Sequence, residues 1–360
     1  MSTACRTAST PMATTQRVPP RLLVVRRLTA VRPLLIAETV MTPPPFVEWL
    51  TGTGLLAWSH RSLRVLHSDL TVALAWEPSD ADPILAVGVA PDLSRFALVG
   101  PRQVQVHSAD GRVRWAVEHG RVLSTGWPRP SCHLAGDDLL WLFLPDASGD
   151  QLVVLDASAG GTEVDLRTLQ TVEGFATFIL DADRQHVGLH IAVGPETCLS
   201  YRWTTGDRRL VAGQTMNGCL ADMNASGSFY LSMPHGSGWI AIRDVADDSA
   251  RVERRYDDIP EFGDSDDYRM HETAAVVSDD WVMVGVATDQ GDAEQHLLLS
   301  TRTLRPQTVM DYGIDMPQNS IRPAGGRGRW MTHDALLGVV RLWQLREPHT
   351  DEVEGQLGLW

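Results

Sequence analysis

The chain has 360 residues, 43% of them hydrophobic, and a formal net charge of −14. That apolar content supports a sizeable core, yet no run reaches the roughly 18 uninterrupted apolar residues of a membrane span, so no membrane insertion is expected. A negative body of this size argues against non-specific nucleic-acid binding, which needs a basic footprint, and favours a basic partner.

Residues 1–40 differ in composition from the rest. They carry Arg6, Arg17, Arg21, Arg26, Arg27 and Arg32 against one acid, Glu38. A secretory signal needs an unbroken apolar core, and Arg26-Arg27 separates Leu22-Leu23-Val24-Val25 from the next apolar run. The expected division is a disordered N-terminal extension over 1–45, or an upstream start with Met41 opening the protein, and then a single domain over 46–360.

From Phe46 onward a strand-rich unit recurs about every 45 residues. Its clearest part is a short apolar strand running into a polar turn: Leu63-Arg64-Val65, Val104-Gln105-Val106, Val153-Val154-Leu155, Leu199-Ser200-Tyr201, Ile240-Ala241-Ile242, Leu297-Leu298-Leu299 and Val340-Arg341-Leu342. Units of this length built from four short strands indicate a β-propeller. The expected fold is all-β with seven four-stranded blades; six or eight remain compatible, because the first and last units are the least regular.

Blade one is placed over 46–80 and blade two over 83–119, where Pro91-Asp92-Leu93-Ser94 turns the chain and Asp110-Gly111 separates two alternating runs, a strong hairpin signal. Blades three to seven are placed over 130–170, 174–213, 217–256, 270–312 and 318–346. The longest interval, from Ile240 to Leu297, holds an acidic insertion at 257–267. A ring must close or leave an open edge. Either the apolar tail at 356–360 or an N-terminal strand completes blade seven. The tryptophans are expected to fill wedges between blades.

Blades two and seven resemble WD repeats and quinoprotein-like propeller repeats. The resemblance rests on Val340-Arg341-Leu342-Trp343-Gln344-Leu345 and on the turn at Pro91-Asp92. It covers about 46–346 and implies a propeller and a protein-interaction role. The Trp-Asp dipeptide is absent, since Gln344 follows Trp343 and Thr204 follows Trp203, and so is the Gly-His pair. The family's buried Asp-His network is therefore not carried over.

Catalytic and metal motifs are sparse. His186 and His190 lie four apart in a strand, too distant along it to share one metal. Cys5, Cys132, Cys198 and Cys219 form no C-x-x-C pair and no framework-like spacing. Reduced structural thiols in a cytoplasmic protein are expected, with no structural zinc and no cofactor. Gly236-Ser237-Gly238 and Gly325-Gly326-Arg327-Gly328 read as tight turns. Lysine is absent, which points to a GC-rich bacterial coding genome.

Because strands alternate in direction, links between blades (d–a) and b–c turns share one face of the ring. That face collects Asp257, Asp258, Glu261, Asp264, Asp266 and Asp267 from the insertion. It also holds Asp289, Asp292, Asp146, Asp150 and His333-Asp334, with Arg61 and Arg102 as the main opposing charges. The expected function is a non-catalytic, monomeric scaffold that binds a basic protein partner on this acidic face. The alternative is a propeller enzyme (hydrolase, lyase or quinone-type dehydrogenase) with an acidic, calcium-binding channel mouth.

Overall fold

The computed structural model describes residues 28–41, 46–50, 54–77, 82–126, 128–135, 138–180, 186–193, 198–206, 209–216, 218–233, 238–259, 268–288, 295–314, 319–325 and 327–346. Among them every regular element is a strand except one 3-10 turn at Tyr256–Asp258.

Two strands precede the first blade, β1 (Thr29–Val31) and β2 (Leu34–Val40). Blade one is β3 (Phe46–Leu50), β4 (Gly54–Ser59), β5 (Ser62–Leu66) and β6 (Val72–Trp76). Blade two is β7 (Ala86–Val89), β8 (Arg95–Val99), β9 (Gln103–Ser108) and β10 (Val113–Glu118). Blade three is β11 (Ser131–Leu134), β12 (Leu139–Leu144), β13 (Gln151–Asp156) and β14 (Thr162–Thr168). Blade four is β15 (Phe175–Leu180), β16 (His186–Ala192), β17 (Cys198–Gly206) and β18 (Arg209–Met216). Blade five is β19 (Leu220–Met223), β20 (Phe229–Ser232), β21 (Trp239–Asp244) and β22 (Ala250–Arg255). Blade six is β23 (Tyr268–Val276), β24 (Trp281–Thr288), β25 (Gln295–Ser300) and β26 (Pro306–Met310). Blade seven has β27 (Asn319–Pro323), β28 (Arg329–Asp334) and β29 (Val339–Gln344).

These strands form seven sheets, one per blade. Within each blade the consecutive strands form an antiparallel meander, to which β1 and β2 are added in blades six and seven, so the expected seven-bladed propeller is the fold. The first strands touch in the order β7, β11, β15, β19, β23, β27, β3. They therefore line the central axis. Middle strands such as β12 are buried throughout, whereas outer strands such as β10 and β22 alternate exposed and half-buried residues. A strand covered on both faces reads as a continuous apolar run; one with a wet face alternates.

The core is a set of wedges between blades. One joins blades two and three through Val104, Val106, Leu140 and Leu142. Another joins blades six and seven through Met283, Leu298, Trp330 and Trp343. Several described tryptophans fill wedges: beside Trp330 and Trp343, Trp115 Nε1 in blade two donates to the carbonyl of Ala157 in blade three at 2.8 Å. The Asp110-Gly111 hairpin forms as expected, with Gly111 at φ 83°. A Cβ on Gly111 would meet Trp76 Nε1 of blade one at 2.7 Å, so the turn also needs glycine for the close approach of a neighbouring blade.

The N-terminal boundary differs from expectation. Residues 28–41 belong to the propeller rather than to an extension. β2 pairs antiparallel with β29 and supplies the fourth strand of blade seven. β1 pairs parallel with β26 and adds a fifth strand to blade six. Glu38 forms an ion pair with Arg341, Thr308 Oγ1 donates to the Thr29 carbonyl, and Met41 is buried. Arginine density suggested a polar extension here. Yet Arg32, the arginine among the described residues here, lies between the two strands, Ile36 and Ala37 pack on the core between blades seven and one, and Val31 packs on the core between blades six and seven. The tail 347–360 lies outside the described residues, and blade seven has its four strands without it.

The cysteines also differ from expectation. Cys198 and Cys219 form a disulfide across a separation of 21 residues, and Cys132 is a buried free thiol. Cys5 lies outside the described residues. Spacing concealed the pair because blade packing, not a local loop, brings the two sulfurs together.

Candidate interaction face

The face built from d–a links and b–c turns is distinguished by its apolar side chains. Val122 is 80% exposed and Leu336 76%, and Val172, Ile314 and Leu337 are also exposed. All five lie in d–a links or a b–c turn. The other exposed large hydrophobics, Leu34, Leu35, Val40, Val72, Val113 and Leu166, sit on the outer strands β2, β6, β10 and β14. Among the described residues none falls in an a–b or c–d turn of the opposite face. Single exposed hydrophobics are ordinary; what sets these five apart among the described residues is their confinement to the loops of one face.

The most prominent tip is Leu336-Leu337, between β28 and β29. Asp334 Oδ1 accepts the backbone N–H groups of Leu336 and Leu337 at 3.0 and 2.9 Å. Gly338, at φ 66°, donates to the Asp334 carbonyl at 2.8 Å and accepts from the Met41 N–H at 3.0 Å. The two leucines are held out by the backbone, so little ordering entropy remains to be lost when a partner covers them. His333 and Asp334 are not rim acids and bases as expected. Both end β28 and are buried, and the Asp334 carboxylate is consumed by the turn. Burial, with Arg322 nearby, pushes the His333 pKa down to about 4, against the opposing pull of Asp334.

At the start of the inner strands an arginine spans the axis. The Arg129 guanidinium, in the link leading to blade three, lies 4.2 Å from the Phe46 ring centroid and 5.2 Å from that of Phe175. Phe46 opens β3 and Phe175 opens β15, so one cation ties three blades together on this face. Burial lowers the Arg129 pKa, and aromatic faces are the compensating partners. Deeper in β3, burial pushes the Glu48 carboxyl up to about 8. Burial, joined by the charge of Glu48, raises the Cys132 thiol well above its usual value. Asp222 on β19 is raised to about 7 by burial, although it accepts the backbone N–H groups of Val276 and Met223 at 2.7 and 2.9 Å. It joins blade five to blade six.

Only part of the expected acidic face falls among the described residues. Arg61 and Arg102 are exposed on this face, in the b–c turns of blades one and two, and Asp258 is exposed at the end of the 3-10 turn. Asp257 lies in that turn, with its side chain outside the described residues. Glu261, Asp264, Asp266, Asp267, Asp289 and Asp292 also lie outside them. Two further rim acids serve the fold. Asp146 pairs with Arg121, and Asp150, fully buried, accepts the N–H groups of Asp146 and Gly174 at 2.9 and 3.1 Å. A groove of about 240 Å³ opens at the b–c turn of blade two, lined by Asp82, Ile84, Val99, Gln103 and Gln105.

The opposite face spends its charge internally. Asp92 and Asp110 accept turn N–H and hydroxyl groups, which hold their carboxyls below the usual range. Arg95 pairs with Asp138. A larger groove of about 430 Å³ between blades five and six is lined by Arg251, Arg302, Asp279 and Asp280, with Arg302 bound to Asp280 at 3.0 Å. The sequence singles out the d–a and b–c face by its charge alone. Its apolar tips are hidden there, because Leu336-Leu337 between two strands reads as further strand.

No family model and no curated protein matches the chain. Solved structures do. BamB from Moraxella catarrhalis superposes with a TM-score of 0.51 at 12% identity, covering 87% of this chain and 100% of that one. The β-propeller domain of Cps50 (Swd1) from Myceliophteria thermophila gives 0.57 at 11% identity, covering 86% and 98%. At these identities the likeness concerns architecture, and it places this chain's fold among the β-propellers.

Proposed function

We propose that this propeller is a non-catalytic scaffold that docks a protein partner on the face of d–a links and b–c turns. The supporting observation is the confinement of loop-borne, exposed apolar side chains to that face, with Leu336 and Leu337 as the anchor. Arg129 and the axis lie at its centre. The acidic insertion at 257–267 is a d–a link of the same face and favours a basic partner by long-range attraction, while the apolar tips supply the contact.

The test compares the full chain with a Leu336→Ser/Leu337→Ser variant and with Arg302→Ala on the opposite face, in crosslinking capture from the native host. A partner held by the parent and by Arg302→Ala, but lost at least about tenfold by the double variant, supports the reading. Equal capture by all three would overturn it. Neutralising Asp257, Asp258, Glu261, Asp264, Asp266 and Asp267 should slow capture at low salt and leave it nearly unchanged at high salt.

A further inference from the structure

Three metal-ligating side chains meet where blade four packs on blade five. In the ladder of β16 and β17, His190 faces Ser200 and Ala192 faces Cys198. Residues two apart on a strand share a face, so His190 and Cys198 are diagonal neighbours on one side of blade four. Cys219 comes from the link that leads into β19. Donor atoms of His190, Cys198 and Cys219 all lie within 4.8 Å of one another. Cys219 is buried, and the other two are half-buried. Ser200, fully buried, organises the joint: its Oγ accepts the Leu220 N–H at 2.9 Å and lies 3.3 Å from His190 Nδ1. The apolar cluster here is small among the described residues, with Leu220, Met223, Tyr230 and Val245 meeting Ile179 of blade four.

In the form described, the two sulfurs are joined and their Cα atoms are 5.9 Å apart. We propose that the same three side chains bind a thiophilic divalent metal of the zinc class once the disulfide is reduced. The joint between blades four and five then has two mutually exclusive closures, one covalent and one coordinate. Zinc takes thiolate at about 2.3 Å and imidazole at about 2.0–2.1 Å, so its ligand atoms sit roughly 3.5 Å apart. Three donors already within 4.8 Å reach that spacing by side-chain rotation. The fourth position is left to water. Ser200 beside Nδ1 orients the imidazole, as outer partners of metal-bound histidines do.

The chemistry balances with a dithiol as reductant. Its thiolate attacks one protein sulfur, its second thiol resolves the mixed disulfide, and it leaves as its own disulfide. Cys198 and Cys219 together gain two electrons and two protons. Zinc then displaces both thiol protons to solvent.

The experiment uses the full chain, oxidised and dithiol-reduced, desalted without oxygen. Zinc is titrated against a chromophoric indicator, and cobalt serves as a spectroscopic probe of thiolate ligation. The reduced chain should bind one zinc at micromolar affinity or tighter and show a thiolate-to-cobalt absorption band. The oxidised chain should show neither. His190→Ala should weaken zinc at least about tenfold while keeping a thiolate band, and Cys198→Ser/Cys219→Ser should abolish both. The proposal is overturned if the reduced chain gives no thiolate band, if the oxidised chain binds zinc as tightly, or if His190→Ala binds unchanged. His190→Ala keeps both cysteines, so it decides the matter even where the double variant fails to fold.

Discussion

Glu48 is one of the described residues whose carboxyl is displaced far from its solution value. Its carboxyl ionises near 8 in the folded chain, against 4.5 for a solvated glutamate, because burial penalises the charge. Between those values the unfolded state sheds a proton that the folded state keeps, so stability falls as pH rises through the window. Asp222 acts in the same direction between 3.8 and about 7. His333 acts oppositely: buried, it ionises only near 4 instead of 6.5, and stability is lost as pH falls through that interval. Glu48→Gln should therefore flatten the decline between pH 5 and pH 8, by on the order of a few kcal/mol at most, in urea unfolding at the two pH values. An unchanged difference between the two pH values would show that Glu48 is solvated. Arg129→Ala removes the cation shared by Phe46 and Phe175 and should cost about 1–2 kcal/mol; Arg129→Lys should recover only part of this.

The decisive element is the N-terminal arm. β2 occupies the outer position of blade seven, and β1 is added to the edge of blade six, so one segment staples the last two blades. Removing residues 1–40 would bare β29 and the edge of β26 and strip Ile36 and Val31 from two cores. The melting temperature should fall by many degrees, and the bared edges should drive self-association, visible by light scattering. A truncated chain that melts with the parent and stays monodisperse would remove the closing role. Deleting 353–360 leaves every described ladder of blade seven in place. The Leu336-Leu337 tip is the contrasting case: both side chains are exposed, so serine at both should change stability by less than about 0.5 kcal/mol while weakening the proposed docking.

Across the whole molecule the two faces divide their charges differently. Acids on one face, such as Asp92 and Asp110, are tied into turns, and arginines such as Arg302 are paired. The other face carries the insertion and the exposed apolar tips. Partner association should therefore lose its rate advantage as salt rises from about 0.1 to 1 M, where screening shortens to a few Å, while dissociation changes little. Stopped-flow measurement over that range checks this; dissociation accelerating as strongly as association slows would mean that charge, not the leucines, holds the partner.

The repeat made the fold legible. Each Leu63-type strand falls on the third strand of its blade, and Asp110-Gly111 and Pro91-Asp92 turn where expected, because strand alternation and turn chemistry are local properties of a few neighbouring residues. Strand direction alone then sorted the loops onto two faces. Tertiary packing decided the rest. The two strands on either side of Arg32 became the ring closure because they meet β26 and β29, nearly 300 residues away in the chain. Cys198 found Cys219 and Arg129 found two phenylalanines for the same reason. A blade is specified by its own residues, whereas what one blade presents to the next depends on how seven wedges close around an axis.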